Sequence, residues 1–265
     1  MSKITEAKRV VIKVGTSTLT YESGHLNIRR VEKLVKVISD LKNQGREIVL
    51  VSSGAIGVGM GKLGLSERPA TVPEKQALAA IGQVELIQYY DRLFDEYNHT
   101  VAQVLVTKNV VDSPEMYRNA VNTFAQLLQM QVLPIVNEND TISTEQLEFG
   151  DNDTLSAAVA EITGADVLVI LSDIDGLYDA DPKQNPGAKI IPVVEHIDDS
   201  IRALAGGAGS RRGTGGMITK ITAAEFACAS GVDVIIANGQ NPELLYDIFD
   251  GKQTGTRFCA QKGEA

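Results

Sequence analysis

The sequence predicts an α/β protein whose mainly parallel sheet is covered by helices on both faces. Two observations carry this. Short aliphatic runs rich in β-branched residues, RVVIKV at Arg9–Val14, EIVLVS at Glu47–Ser52 and DVLVILS at 166–172, are apolar on both faces, as doubly buried strands are. Between them lie longer segments with apolar residues at helical spacing, so strand and helix alternate along the chain. The 265 residues suffice for one large α/β domain or two small ones, and no internal repeat or long linker divides them.

The first run, Arg9–Val14, ends in Gly-Thr-Ser-Thr-Leu and carries Lys13 near its end, where an ammonium is costly without an anion to meet. Lys13 either snorkels or pairs with a carboxylate, or it is aimed at phosphate, with Gly15 letting the backbone approach. Residues 28–44 then place Ile28, Val31, Leu34, Val35, Ile38 and Leu41 on one helical face, with Gly45 as the stop. The second run leads directly into Ser53-Gly54-Ala55 and a helix, an arrangement that points N–H groups and hydroxyls at an anion. The pattern G-x-G-x-x-G occurs at Gly59, Gly61 and Gly64, too far beyond the strand to line a dinucleotide turn. A Walker A pattern is absent.

Pro73 opens a long helix to about residue 97, followed by a strand at 100–107. Ser113 and Pro114 begin the next helix, which runs to about residue 130 and precedes a strand at 132–137. That strand ends in Asn137-Glu138-Asn139-Asp140, and Gly150-Asp151-Asn152-Asp153 opens a helix over 154–163. One such Asn/Asp cluster is ordinary capping; two around one loop, at the carboxyl end of a strand, mark a site. After the strand at 166–172 come a short strand near Ile190, a helix near Ser200 and the Gly-rich segment 206–216. This segment leads into a helix with Lys220 in its first turn, where the helix dipole disfavours a cation unless an anion is bound. The strand at 232–238 is expected to close the sheet. A helix at 242–250, a short strand at 255–258 and a disordered tail at 259–265 complete the chain.

Composition excludes several functions. A net charge of −9 argues against nucleic-acid binding, which needs a concentrated basic surface. No window reaches the apolar length of a membrane span and the N-terminus lacks the apolar core of a signal peptide, so a cytoplasmic location is expected. Cys228 and Cys259 form no C-x-x-C pair and read as packing thiols, and His25, His99 and His196 have no metal-ligand spacing.

Six strings, VVIKVGTSTL, VSSGAIGVG, VNENDTIS, FGDNDTLSA, LSDIDGLYDADP and GTGGMITK, occur in the order of the amino acid kinase family, and the chain resembles that family over nearly its whole length. Within it, the resemblance is to members that phosphorylate L-glutamate. It implies an αβα sandwich around a largely parallel sheet of about eight strands, formed by a kinase domain over residues 1–258. The N-terminal half would hold the amino acid and the C-terminal half ATP.

The implied reaction is ATP-dependent phosphorylation of the γ-carboxylate of L-glutamate, the first step towards proline, with Mg²⁺ carried mainly by phosphates and water. Lys13 and Lys220 would be the catalytic cations, both also touching nucleotide, and Asp153 would orient them. Ser53, Asp140 and Asn152 would hold glutamate; Ser172, Asp173, Thr214, Gly215, Gly216, Met217, Ile218 and Thr219 would bind ATP. Asp140 would meet the α-ammonium, and donors on Ser53 or Asn152 the α-carboxylate.

The family implies a dimer or tetramer, and proline is a plausible feedback inhibitor. Many members carry a C-terminal PUA domain, which is not expected here because the chain stops soon after the kinase domain. Aspartokinase-like and acetylglutamate-kinase-like acceptors are the nearest alternatives. A silent ATP-binding sensor on the same fold is argued against by the presence of Lys13, Asp153 and Lys220 together.

Overall fold

The structure is a computed structural model that describes residues 2–21, 23–67, 69–107, 109–142, 152–205 and 216–261. In chain order its elements are α1 (Ser2–Thr5), β1 (Arg9–Val14), α2 (Thr16–Leu19), α3 (Ile28–Asn43), β2 (Glu47–Ser52), α4 (Ala55–Leu63), α5 (Val72–Asp95), β3 (Val101–Val106), α6 (Asn109–Asp112) and α7 (Pro114–Gln129). These are followed by β4 (Leu133–Glu138), α8 (Asn152–Thr163), β5 (Val167–Ser172), β6 (Val193–Val194), α9 (Asp199–Ala205), α10 (Met217–Ala229), β7 (Asp233–Asn238), α11 (Leu244–Phe249) and β8 (Thr256–Phe258).

The eight strands form one sheet in the order β3-β4-β2-β1-β5-β7-β8-β6. All neighbours are parallel except β7 and β8. β1 lies at the middle, with Lys13 level with Val51 of β2 on one side and Ile170 of β5 on the other. The chain leaves β1 towards β2 and later returns to its opposite edge with β5. The carboxyl end of β1 is therefore a point where strand order reverses, and crevices form there.

Strand alternation divides the core in two. Val10, Ile12 and Val14 of β1, with Ile48 and Leu50 of β2 and Val167, Val169 and Leu171 of β5, pack with Leu34 and Ile38 of α3 and Leu86, Tyr90 and Phe94 of α5. Val11, Val49, Val51, Leu168 and Ile170 point the other way, onto Phe124 and Leu128 of α7, Leu155 and Val159 of α8 and Ala223 and Ala224 of α10. These are the two helix layers the sequence predicts.

Three expectations are corrected. β7 does not close the sheet: β8 pairs antiparallel to it and β6 lies beyond. The strand expected near Ile190 is an isolated bridge between Tyr178 and Ile190, and β6 begins at Val193. The segment just after β8 is bonded rather than disordered. The Cys259 N–H donates to Val194 O at 2.9 Å and the Gln261 N–H to Cys228 O at 2.9 Å; residues 262–265 lie outside the described residues. Burial pushes the Cys228 thiol up to about 12, in keeping with a packing role.

Two glycines of the G-x-G-x-x-G pattern, Gly59 and Gly61, serve close packing, while Gly64 is the left-handed C-cap of α4. A Cβ at Gly59 would overlap the Leu78 carbonyl of α5, and one at Gly82 of α5 would overlap the Ala55 carbonyl of α4, so the two helices meet backbone to backbone. Among the described residues no helix is long and apolar enough to cross a membrane.

Candidate active site

Alternation along β1 decides where Lys13 points. It shares parity with Val11, so its side chain leaves the sheet on the face covered by α8 and α10. There it meets Asp153 from the first turn of α8 and Lys220 from the first turn of α10. Lys13 Nζ lies 2.5 Å from Asp153 Oδ1, and Lys220 Nζ lies 2.9 Å from Asp153 Oδ2. All three are buried: Asp153 is fully inaccessible, Lys13 is 6% exposed and Lys220 4%.

Burial pushes the Asp153 carboxyl up, but the two ammonium groups, Lys13 first, outweigh it and hold the group below the usual carboxylate range. Among the described residues the cluster sets two cations against one shared carboxylate at the carboxyl edge of the sheet. The first-turn position of Lys220 thus has a carboxylate behind it.

Two nearby helices begin without a side-chain cap. The N-cap residues of α4 and α10 are Gly54 and Gly216, and neither helix has a side-chain cap bond. By contrast α3, α5 and α7 are capped by Asn27, Thr71 and Ser113. First-turn N–H groups are left for another acceptor where α4 follows Ser53 and where α10 carries Lys220.

At the carboxyl ends of β2 and β4 a chain of amides links the start of α8 to α5. Asn152, the first residue of α8, places its Nδ2 at 2.8 Å from Ser53 Oγ, 2.9 Å from Asn137 Oδ1 and 3.2 Å from Ser52 O. Asn137 Nδ2 donates to Gln83 Oε1 of α5 at 2.8 Å. Ser52 Oγ and Tyr90 Oη, also of α5, are 3.0 Å apart. Parity again explains the partners: Ser52 and Asn137 share the strand face of Leu50 and Ile135, which is the α5 side.

Of the predicted residues, the structure brings together Lys13, Asp153 and Lys220 in one cluster and Ser53 and Asn152 in another. Asn152 and Asp153 are adjacent, so the clusters touch. Asp140 sits half-buried in the turn leaving β4. Ser172 ends β5 beside β1 and donates to Asp173 Oδ1 at 3.0 Å, while Asp173 is exposed.

On α10, Ile218 is half exposed and Met217 packs against the core. The Thr219 hydroxyl turns inward, 2.8 Å from Gly216 O and 3.3 Å from Asp153 Oδ2. Thr214 and Gly215 lie outside the described residues. The sequence reading did not single out Gln83. The available signal was a lone amide in the buried stripe Leu78, Ala79, Gly82, Leu86 and Tyr90 of α5.

Residues 8–238 match the amino acid kinase family. The chain is 55% identical over 263 residues to a glutamate 5-kinase of Clostridium perfringens, covering 98% of each. It is 50% identical over 262 residues to a glutamate 5-kinase of Listeria innocua, covering 97% of this chain and 95% of the relative. Its fold is similar to that of a UMP kinase from Bacillus anthracis, with a TM-score of 0.66 at 19% identity over 97% of both chains. The chain belongs to the amino acid kinase family, and within it to the glutamate 5-kinases.

Proposed function

We propose that the chain transfers the γ-phosphoryl group of ATP to the γ-carboxylate of L-glutamate, giving L-glutamyl 5-phosphate for proline biosynthesis. Its similarity to glutamate 5-kinases supports the acceptor, and the buried Lys13–Asp153–Lys220 cluster is the observation that carries the chemistry. A carboxylate nucleophile is already ionised at neutral pH, so no general base is needed. The difficulty is bringing two anions together, which calls for cations and N–H donors.

In this reading Lys13 and Lys220 neutralise oxygens of the transferring phosphoryl group while Asp153 holds both ammoniums in register. The N–H groups at the starts of α4 and α10 serve the acceptor and the triphosphate respectively. Ser53, Asp140 and Asn152 hold glutamate. Ser172, Asp173 and the stretch from Thr214 through Gly215, Gly216, Met217, Ile218 and Thr219 to Lys220 hold ATP.

Both oxygens of Asp153 face lysines, which fits a divalent cation bound through phosphates and water rather than through this carboxylate. Mg²⁺ so bound would neutralise β and γ oxygens. The amino-acid half therefore lies around β2 and β4 and the ATP half around β5 and α10. Proline inhibition, a dimeric or tetrameric assembly and a cytoplasmic location belong to the same reading.

The test is an ATP- and Mg²⁺-dependent assay in which hydroxylamine traps an acyl phosphate, run on L-glutamate, L-aspartate and N-acetyl-L-glutamate. Hydroxamate from glutamate alone is expected. Signal with another acceptor overturns the pocket assignment, and silence on all three overturns the kinase reading.

A further inference from the structure

The amide chain beside the lysines has a direction, fixed at two points by main-chain groups with only one possible role. The Glu138 N–H can only donate, so the Asn137 atom 2.9 Å from it is Oδ1. The other end of Asn137 is then NH₂, and the Gln83 atom it meets at 2.8 Å is Oε1. The Ser52 main-chain carbonyl can only accept, so the Asn152 atom 3.2 Å from it is Nδ2. That nitrogen also meets Asn137 Oδ1 and Ser53 Oγ, so its two hydrogens already face three acceptors.

The unused valences follow. Gln83 Nε2 keeps two N–H donors with no acceptor among the described residues. The Ser53 oxygen accepts from Asn152, which frees its own proton to donate. Asn152 Oδ1 is left as an acceptor. Asn152 is thus not the carboxylate donor that the sequence reading allows, because its NH₂ is spent on the protein.

Gln83 is 9% exposed. It follows Gly82, which abuts the Ala55 carbonyl at the start of α4, so it lies beside the Ser53–Gly54 turn. It is also two hydrogen bonds from Asn152, and Asn152 adjoins Asp153, so along the amide chain Gln83 lies further than Asn152 from the carboxylate that pairs the two lysines.

We propose that Gln83 is a specificity-determining residue of the acceptor pocket, its Nε2 donating to the α-carboxylate of the bound amino acid while Asn152 Oδ1 accepts from the α-ammonium. This rests on the kinase reading above, in which the γ-carboxylate faces Lys13 and Lys220. Donors at one end and an acceptor between suit a zwitterion entering with its reactive carboxylate towards the lysines.

The variant Gln83→Glu tests this, because it keeps the size of the side chain and an oxygen for Asn137 Nδ2 while turning the ligand-facing donor into an anion. The KM for L-glutamate is expected to rise by at least about 30-fold, the scale of a lost hydrogen bond to a charged group, with the KM for ATP and the Tm little changed. The α-amide of glutamate, which keeps the γ-carboxylate, should lose far less, so the preference for the free acid narrows. Calorimetric titration of L-glutamate into both proteins reads the same difference without turnover. An unchanged glutamate KM and Kd, or an equal loss with acid and amide, would overturn the assignment. Glutamate binding that weakens in the variant while the wild-type chain makes no hydroxamate would instead sink the kinase reading and leave Gln83 in place.

Discussion

Asp153 is the residue on which the site turns, because it is the counter-charge for two buried ammonium groups. Replacing it with Asn removes the carboxylate that Lys13 and Lys220 share, a loss of about 3–5 kcal/mol when one partner of a buried pair is removed. We expect a lower Tm for Asp153→Asn together with loss of hydroxamate formation. The pH dependence has a definite sign. The folded carboxyl lies below its unfolded value near 4, so its stabilisation is complete above about pH 4 and is lost as pH falls through the lower folded value. Thermal melts from pH 7 to 3 should show this acid limb in the wild type and a weakened one in Asp153→Asn. Lys220→Met should behave differently: kcat falls by roughly 10³ or more, since a charge stabilising the transition state is gone, while circular dichroism remains native. Unchanged kcat in that variant would remove Lys220 from the chemistry.

Among the elements, β1, β2, β5 and the helices α3, α7 and α10 were legible because each carries its own period and stop signal. Lys13 and Lys220 were legible as cations in places that penalise them. Their meeting at Asp153 came from the family resemblance alone, since it depends on the face of β1 that α8 and α10 cover, which no local pattern states. Gln83 was hidden because a single amide in an apolar helical stripe does not disturb the period, and its partner Asn137 is far away in sequence. A dinucleotide turn at Gly59, Gly61 and Gly64 fails on position, and the structure supplies a use for Gly59 in the contact of α4 with α5. Gly82→Ala is therefore expected to cost about 1–3 kcal/mol through overpacking at a contact that cannot relax without separating two backbones. Scanning calorimetry would register a drop of several degrees; an unchanged Tm would show that α4 and α5 slide freely.

At the scale of the whole molecule the two halves of the proposed site share one sheet. β1 is paired to β2 on the side proposed for the amino acid and to β5 on the side proposed for ATP, so neither side of the sheet has a complete core without the other. Urea unfolding followed by circular dichroism, the chain having no tryptophan, should show one transition, and ATP with glutamate should shift it upward by mass action. Two separated transitions would mean the halves are independent folding units.

The far edge of that sheet also bears on how the chain comes to be folded in the cell. Among the described residues β6 pairs with β8 alone, and the buried Thr256 hydroxyl joins Leu177 and Ile191 to the same strand. During synthesis the segment from Leu177 to Val194 therefore emerges from the ribosome long before the strand that fixes it. Its own pairing, Tyr178 with Ile190 and the Ile191 N–H to Leu177 O, can form at once, whereas docking onto the sheet has to wait for β8 to lie between β7 and β6.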